Sequence, residues 1–248
     1  MLPSLAPLFR GPLAGLEDHL RLPDAAASAN TRAAPALFAP AGLAPVLAVF
    51  GRDYTRPDPR ALVSLWSKYF LAQAILVPAA AALVLGRRLP MALETLALEL
   101  DADGRVARLV VPHEGEAIEA DDPETLLRPL LDRLLAPAIA VMAAHGGLAP
   151  RTLWSNAGHY YAYLIDRLRG QAGAASGVAP GEALMARRVF ADGTRNPLYR
   201  PVHQIRDADG TCHTRRRLCC VRYRLPTLGY CGNCPLPAAR DASSEGEE

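Results

Sequence analysis

The first 200 residues of this 248-residue chain contain no cysteine. Any thiol chemistry is therefore confined to the C-terminal end. A secretory signal is also missing, because Met-Leu-Pro-Ser-Leu-Ala-Pro-Leu-Phe-Arg has neither a basic n-region nor a proper apolar run. Disulfides are therefore the weaker expectation. No Gly-rich dinucleotide fingerprint appears, so NAD(P)H is not expected to bind this chain directly. No acid–base pair or nucleophile constellation stands out. Aromatic residues make up only 6% of the chain, and the net charge is only +2. So small a charge argues against the wide basic surface that non-specific nucleic-acid binding needs. There is no internal repeat. Arginine far outnumbers lysine and alanine, leucine and proline are plentiful, a composition that reads as coding bias rather than function.

What is present in quantity is apolar surface. Half of the residues are hydrophobic, enough to bury a core in one large domain or two smaller ones. The longest apolar run, Phe70 to Gly86, lies at the lower limit for a membrane span, but Gln73 and Pro78 interrupt it. Leu62, Leu65, Trp66, Tyr69 and Phe70 share a helical side. The reading is two buried helices joined near Pro78 and no membrane span, which leaves peripheral association open.

The cysteines come late and close together. Cys219 and Cys220 are adjacent, and Cys231 and Cys234 follow in a Cys-x-x-Cys. Three chemistries could account for them. Disulfides suit a secreted chain better than this one. Structural zinc suits Cys231-Gly-Asn-Cys234 as a half-site, but adjacent cysteines point apart along an extended chain and reach one small ion poorly. A [2Fe–2S] rhomb takes four thiolates, two per iron, and is wider than a single ion.

Cys-Cys-x10-Cys-x2-Cys near the C-terminus, with basic residues before it and Pro-Leu after it, resembles the signature of the FhuF-type ferric siderophore reductases. Leu65-Trp66-Ser67-Lys68-Tyr69-Phe70 and Leu153-Trp154-Ser155-Asn156 look like further segments of that family. The resemblance implies a cytoplasmic enzyme with a [2Fe–2S] cluster on Cys219, Cys220, Cys231 and Cys234. It implies a ferric siderophore as substrate and a ferredoxin-like or other electron donor as partner. Outer-sphere electron transfer needs no acid–base pair, in keeping with the absence of one. Cys212 is then a spare thiol. The other readings are a non-redox siderophore-binding or assembly protein with structural zinc, and an iron–sulfur redox sensor.

The oxidised cluster with its thiolates sums to two negative charges, and to three after one electron. Arg215, Arg216, Arg217, Arg222 and Arg224 lie beside the ligands, and nearby cations favour the more negative state. They also suit docking of an acidic donor or an anionic complex. Gly229 and Gly232 allow turns that aim amide N–H groups at sulfur. Lys68, Asn156, His159, Arg217 and Arg222 are the candidate substrate contacts. For each the plain alternative is a solvated or core position.

The remaining elements follow from pattern. A short helix is expected around Leu13–Leu20 and irregular chain over 23–45, with Asp24, Ser28 and Asn30 as turn formers. Alternation around Asp101-Ala-Asp-Gly104 predicts a hairpin, and the calcium-loop reading fails because the other ligands of such a loop are absent. A leucine-striped helix should open at Asp122-Pro123, bend or break at Pro129 and Pro137, and end at Gly146-Gly147. Another should cover 151–169, and 170–181 should be a loop. The expected fold is α+β: a helix-rich body over 1–205 with a β-hairpin or small antiparallel sheet, a C-terminal iron–sulfur module over 206–240, and a disordered acidic tail over 241–248.

Overall fold

The computed structural model describes residues 2–24, 30–120, 122–171, 173–206 and 210–236. Ser28 and the tail over 241–248 lie outside the described residues. Two short 3-10 turns, Pro3–Leu8 and Gly11–Leu13, open the chain, followed by strands β1 (Leu20–Arg21) and β2 (Thr31–Ala33) and helices α1 (Ala34–Leu37) and α2 (Leu43–Phe50). The helix expected around Leu13–Leu20 is absent. The stretch from 31 to 45, expected to be irregular, holds a strand and the start of α2. Pairing of β2 with the next strand pair supplies the order there that local composition does not.

Helix α3 (Pro59–Leu85) is the axis of the molecule. The Asp58 carboxylate caps it by accepting the Arg60 N–H at 2.9 Å. Pro59 sits where its missing N–H would be unsatisfied anyway. Gly86 closes the helix in the left-handed conformation, φ 56°. The sequence predicts a break near Pro78, yet the helix is continuous. Proline removes one hydrogen bond, to the carbonyl four residues back. Burial of Phe70 to Leu83 on most sides holds the two halves in line. By length and hydropathy α3 could cross a membrane, but 72% of its most apolar window is buried inside this protein. Its hydrophobicity is accounted for by packing.

Next come β3 (Arg87–Arg88), β4 (Ala97–Leu100), β5 (Val106–Val110) and β6 (Glu116–Ala117). The predicted hairpin is β4–β5. The Asp101 carboxylate accepts the N–H groups of Asp103 and Arg105, each at 2.9 Å, and Gly104 takes φ 74°. The Trp66 indole N–H donates to the Gly104 carbonyl at 2.8 Å, which pins the hairpin to α3. The sheet order is β1-β5-β4-β2, antiparallel except for the β1–β5 pair, and β3 pairs with β6.

The leucine-striped segment is α4 (Pro123–Leu130), a π turn (Leu131–Leu135) and α5 (Ala136–Gly146). Pro137 cannot donate to the Arg133 carbonyl, and the N–H of Leu93 takes that acceptor at 2.9 Å. The chain bends through the π turn instead of breaking. Helix α6 (Pro150–Arg169) packs along α3, as the pattern predicts. The expected loop over 170–181 is shorter, because α7 (Val178–Ala186) begins within it. Gly181 lies against Ile165 on α6, and that packing fixes the helix start. The architecture is α+β and helix-rich.

Candidate metal centre

Strands β7 (Val202–Arg206) and β8 (Cys212–Arg216) form a hairpin that delivers the cysteine loop to the flank of α3 and α6. The division expected between residues 205 and 206 falls inside β7. Gly158 on α6 permits the approach, since a Cβ there would lie 2.4 Å from the Cβ of Pro201.

Two helices make a polar shelf. On α3, Ser64, Ser67 and Lys68 share one face by their three- and four-residue spacing. On α6 the matching groups are Ser155, Asn156 and His159. The Asn156 amide donates to the Ser64 carbonyl at 3.1 Å, to Ser64 Oγ at 3.2 Å and to Ser67 Oγ at 2.9 Å. Ser64 Oγ donates to the Cys220 carbonyl at 2.7 Å. Arg216 Nη2 donates to Asn156 Oδ1. Every member of this chain is buried, and Asn156 has no exposed surface.

The four thiols meet on this shelf in two pairs, and none is in a disulfide. Cys220 Sγ and Cys231 Sγ are 4.0 Å apart. Cys219 faces Cys234. Two thiolates on one tetrahedral metal, each about 2.3 Å from it, stand roughly 3.8 Å apart. Among the described residues no three His, Cys, Asp or Glu side chains converge to hold one ion. This geometry fits a group that bridges two thiol pairs better than a single zinc. It also shows how adjacent cysteines serve one site: they point apart, one into each pair.

The turn after Cys219-Cys220 supplies the N–H donors to sulfur. The Val221 N–H lies 3.3 Å from Cys219 Sγ, and the Arg222 N–H is directed at Cys220 Sγ. Val221 adopts φ 52°, a conformation that β-branched residues avoid. Gly229 and Gly232, the expected donors, are exposed, and Gly229 instead accepts the Arg222 Nε–H at 3.1 Å.

The electrostatics are one-sided. Lys68, the one lysine in the chain, places Nζ 3.1 Å from Cys220 Sγ. Arg216 is 2% exposed, and its Nε has no partner. Among the described residues Arg216 pairs with no carboxylate. A hydrogen bond from Cys231 holds the Cys220 thiol well below the usual thiol range, and Lys68 and Arg216 add to this against the opposing effect of burial. The same hydrogen bond pushes Cys231 up. Two cations beside four thiols, one of them buried with an orphaned N–H, suit a group with two negative charges. The donor set, the pairing and the charge all fit a [2Fe–2S] cluster.

The candidate residues fall in different places. Lys68 touches the thiols. Asn156 is fully buried and braces Arg216 and α3. His159 Nδ1 accepts the Asn233 amide at 3.1 Å, which holds the Cys-Gly-Asn-Cys turn. Burial, then the charges of Arg216 and Lys68, pull His159 down to about 4 and keep it neutral at pH 7. Arg222 ties the cysteine loop to itself. Arg217 is exposed, with Nη1 3.4 Å from the Arg200 carbonyl. Arg224 pairs with Asp58 at 3.1 Å. Cys212 is exposed on β8, apart from the pairs. Sequence reasoning missed Ser64, Ser67 and the burial of Arg216. The signal was there in three polar residues at helical spacing within an otherwise apolar helix.

Comparison with known proteins agrees with this geometry. A 28% identical protein, the ferric siderophore reductase of Escherichia coli (strain K12), aligns over 245 residues, 94% of this chain and 91% of that protein. Residues 216–236, which contain all four paired cysteines, match the family model described as the FhuF 2Fe-2S C-terminal domain. The body, over residues 64–211, matches the model described as ferric iron reductase FhuF-like transporter. With more than half of its length so matched, the chain belongs to the FhuF-like ferric iron reductase family.

Proposed function

We propose that this protein is a ferric siderophore reductase of the cytoplasm, with Cys219, Cys220, Cys231 and Cys234 as the cluster ligands. The observation that carries this reading is the two facing thiol pairs set against two cations that, among the described residues, no carboxylate neutralises. The bound [2Fe–2S] group supplies one-electron redox chemistry. The residues do the rest. Lys68 and Arg216 favour the more negative state and so ease electron uptake. The N–H groups of Val221 and Arg222 hold the sulfurs of the adjacent pair in place. Asn156 and Ser64 fix the loop backbone, so that its geometry stays constant through the redox change. Cys219 and Cys231 are half-exposed, which leaves one side of the site open to a substrate and to an electron donor of ferredoxin type. One electron converts chelated Fe³⁺ to Fe²⁺, and hard oxygen ligands hold Fe²⁺ far less tightly, so the metal is released. The body up to the β7–β8 hairpin would hold the complex, and the segment after it the cluster.

The test uses cluster-loaded protein, chemically reduced, freed of reductant and mixed with a panel of hydroxamate, catecholate and mixed ferric siderophores. The expected result is about one Fe²⁺ trapped per protein for at least one complex, as the cluster reoxidises. Reoxidation by none of them, with an intact cluster, would overturn the reading.

Lys68→Met tests the charge argument. A unit charge 3–6 Å from the cluster at an effective dielectric constant of about 20 is worth about 3–5 kcal/mol, and partial exposure of Lys68 discounts this. The midpoint potential is expected to fall by about 50–100 mV in a spectroelectrochemical titration, with the absorption spectrum kept. An unchanged potential would show that solvent screens this lysine.

A further inference from the structure

Beside the cysteine loop lies a cavity of about 780 Å³. Its wall includes Leu218, the residue before Cys219, and five arginines: Arg151, Arg188, Arg195, Arg200 and Arg217. No aspartate or glutamate lines it. Among the described residues none of the five forms an ion pair. Elsewhere on the surface arginines are neutralised, as in Arg52–Asp103 at 2.7 Å, Arg88–Glu116 at 2.7 Å and Arg187–Glu124 at 2.7 Å. Five unneutralised guanidinium groups around one concavity repel one another unless something anionic sits between them.

The cavity is also built, not merely left over. Arg200 has φ 41°, a left-handed conformation that a non-glycine residue keeps only when its surroundings enforce it. Here they do. The Arg200 N–H donates to the Met185 carbonyl at 2.9 Å. Buried Asn196 donates to the carbonyls of Leu184 at 2.7 Å and Arg187 at 2.8 Å, and accepts the Leu198 N–H at 2.9 Å. Trp154 and Tyr199 give the wall aromatic faces, and Arg200 lies over the Tyr199 ring at 5.5 Å.

We infer that this cavity binds the ferric complex itself and selects a polyanionic one. The inference rests on the reductase reading and names its substrate class. Iron(III) held by three catecholates, each doubly negative, carries three negative charges. Held by three hydroxamates, each singly negative, it is neutral. Five free arginines favour the first, and aromatic walls suit catechol rings. An acidic protein donor would also seek positive charge, but a flat patch would serve it. A volume within the range of small-molecule sites, about 300–1,000 Å³, with aromatic lining, fits a compact chelate better.

The experiment separates binding from reduction. Cluster-loaded protein is titrated with gallium(III) complexes, which take up no electron, one tris-catecholate and one tris-hydroxamate. Tryptophan emission reports binding at Trp154, because the only other tryptophan, Trp66, is buried under the β4–β5 hairpin. The anionic complex is expected to bind at least about tenfold more tightly. The double variant Arg188→Glu, Arg195→Glu is expected to lose that preference with an unchanged melting temperature, because both side chains are exposed and unpaired. The variant Arg188→Lys, Arg195→Lys is expected to keep it. Equal binding of the two complexes, preference for the neutral one, or indifference to charge reversal overturns the proposal. So does a charge reversal that spares gallium-chelate binding but slows cluster reduction by an acidic ferredoxin, which would assign this face to the donor. Selective binding with no iron reduction would sink the reductase reading and leave this one standing.

Discussion

A Cys231→Ser protein is expected to purify without visible colour and without ferric-chelate reduction, while melting close to cluster-free wild type. Cys231 Sγ stands 4.0 Å from Cys220 Sγ and completes one of the two thiol pairs. A serine hydroxyl does not ionise near neutral pH and is a hard donor, so that pair loses its grip on iron. The body should not notice, because Cys231 is half-exposed and belongs to none of the apolar packing around α3. An exchange of this size on the surface costs within about 0.5 kcal/mol. Cys212→Ser is the control. That thiol is exposed on β8, and its loss should change neither colour nor rate. Iron and sulfide analysis, visible spectra and thermal melts decide the matter. A Cys231→Ser protein with wild-type absorption would falsify the ligand assignment.

Arg216→Met should act with opposite sign on the two forms of the protein. The guanidinium is 2% exposed and donates to Asn156 Oδ1, and among the described residues its Nε has no partner and it meets no carboxylate. Without the cluster it is a buried cation with only partial compensation. Such a charge costs several kcal/mol, and replacing it with an apolar side chain of similar length often stabilises. Leaving Asn156 Oδ1 without its donor costs about 1–3 kcal/mol in both forms. Cluster-free variant is therefore expected to melt at or slightly above cluster-free wild type. The loaded form should lose roughly 3–5 kcal/mol, because removing one partner leaves the anionic cluster buried without its counter-charge. The measured outcome is a collapse of the gap in melting temperature between loaded and cluster-free protein, with faster cluster loss to a chelator. Equal destabilisation of both forms would mean that Arg216 serves only to brace α6.

The elements legible in the sequence are those with local causes. Asp101 and Gly104 dictate the hairpin turn, Asp122-Pro123 opens α4, and Gly147 closes α5 with φ 62°. Prolines were the hardest residues to read. Pro78 and Pro137 each remove one hydrogen bond, and whether the helix survives depends on neighbours remote in sequence, such as Leu93, whose N–H takes the abandoned carbonyl of Arg133. The four thiols stand out in the sequence because a spacing of adjacent and then spaced cysteines has few chemical uses. The cations around them do not. Of five arginines in the local stretch, Arg216 is the one whose guanidinium charge lowers the Cys220 thiol. Its companion, Lys68, lies 152 residues away along the chain. Asn156 shows the same limit. Helical spacing put it off the core face, and only contact with Ser64, Ser67 and Arg216 turned it inward.

The shelf and its tenant are made at different times. Ser64, Ser67 and Lys68 leave the ribosome some 150 residues before the cysteines they hold, and at 5–20 residues per second that is an interval of roughly 8–30 seconds. The helices can close around their polar face before any thiol exists to occupy it. Metal loading is thus able to follow closure of the body, and until it happens the buried-to-be Arg216 has no cluster as counter-charge.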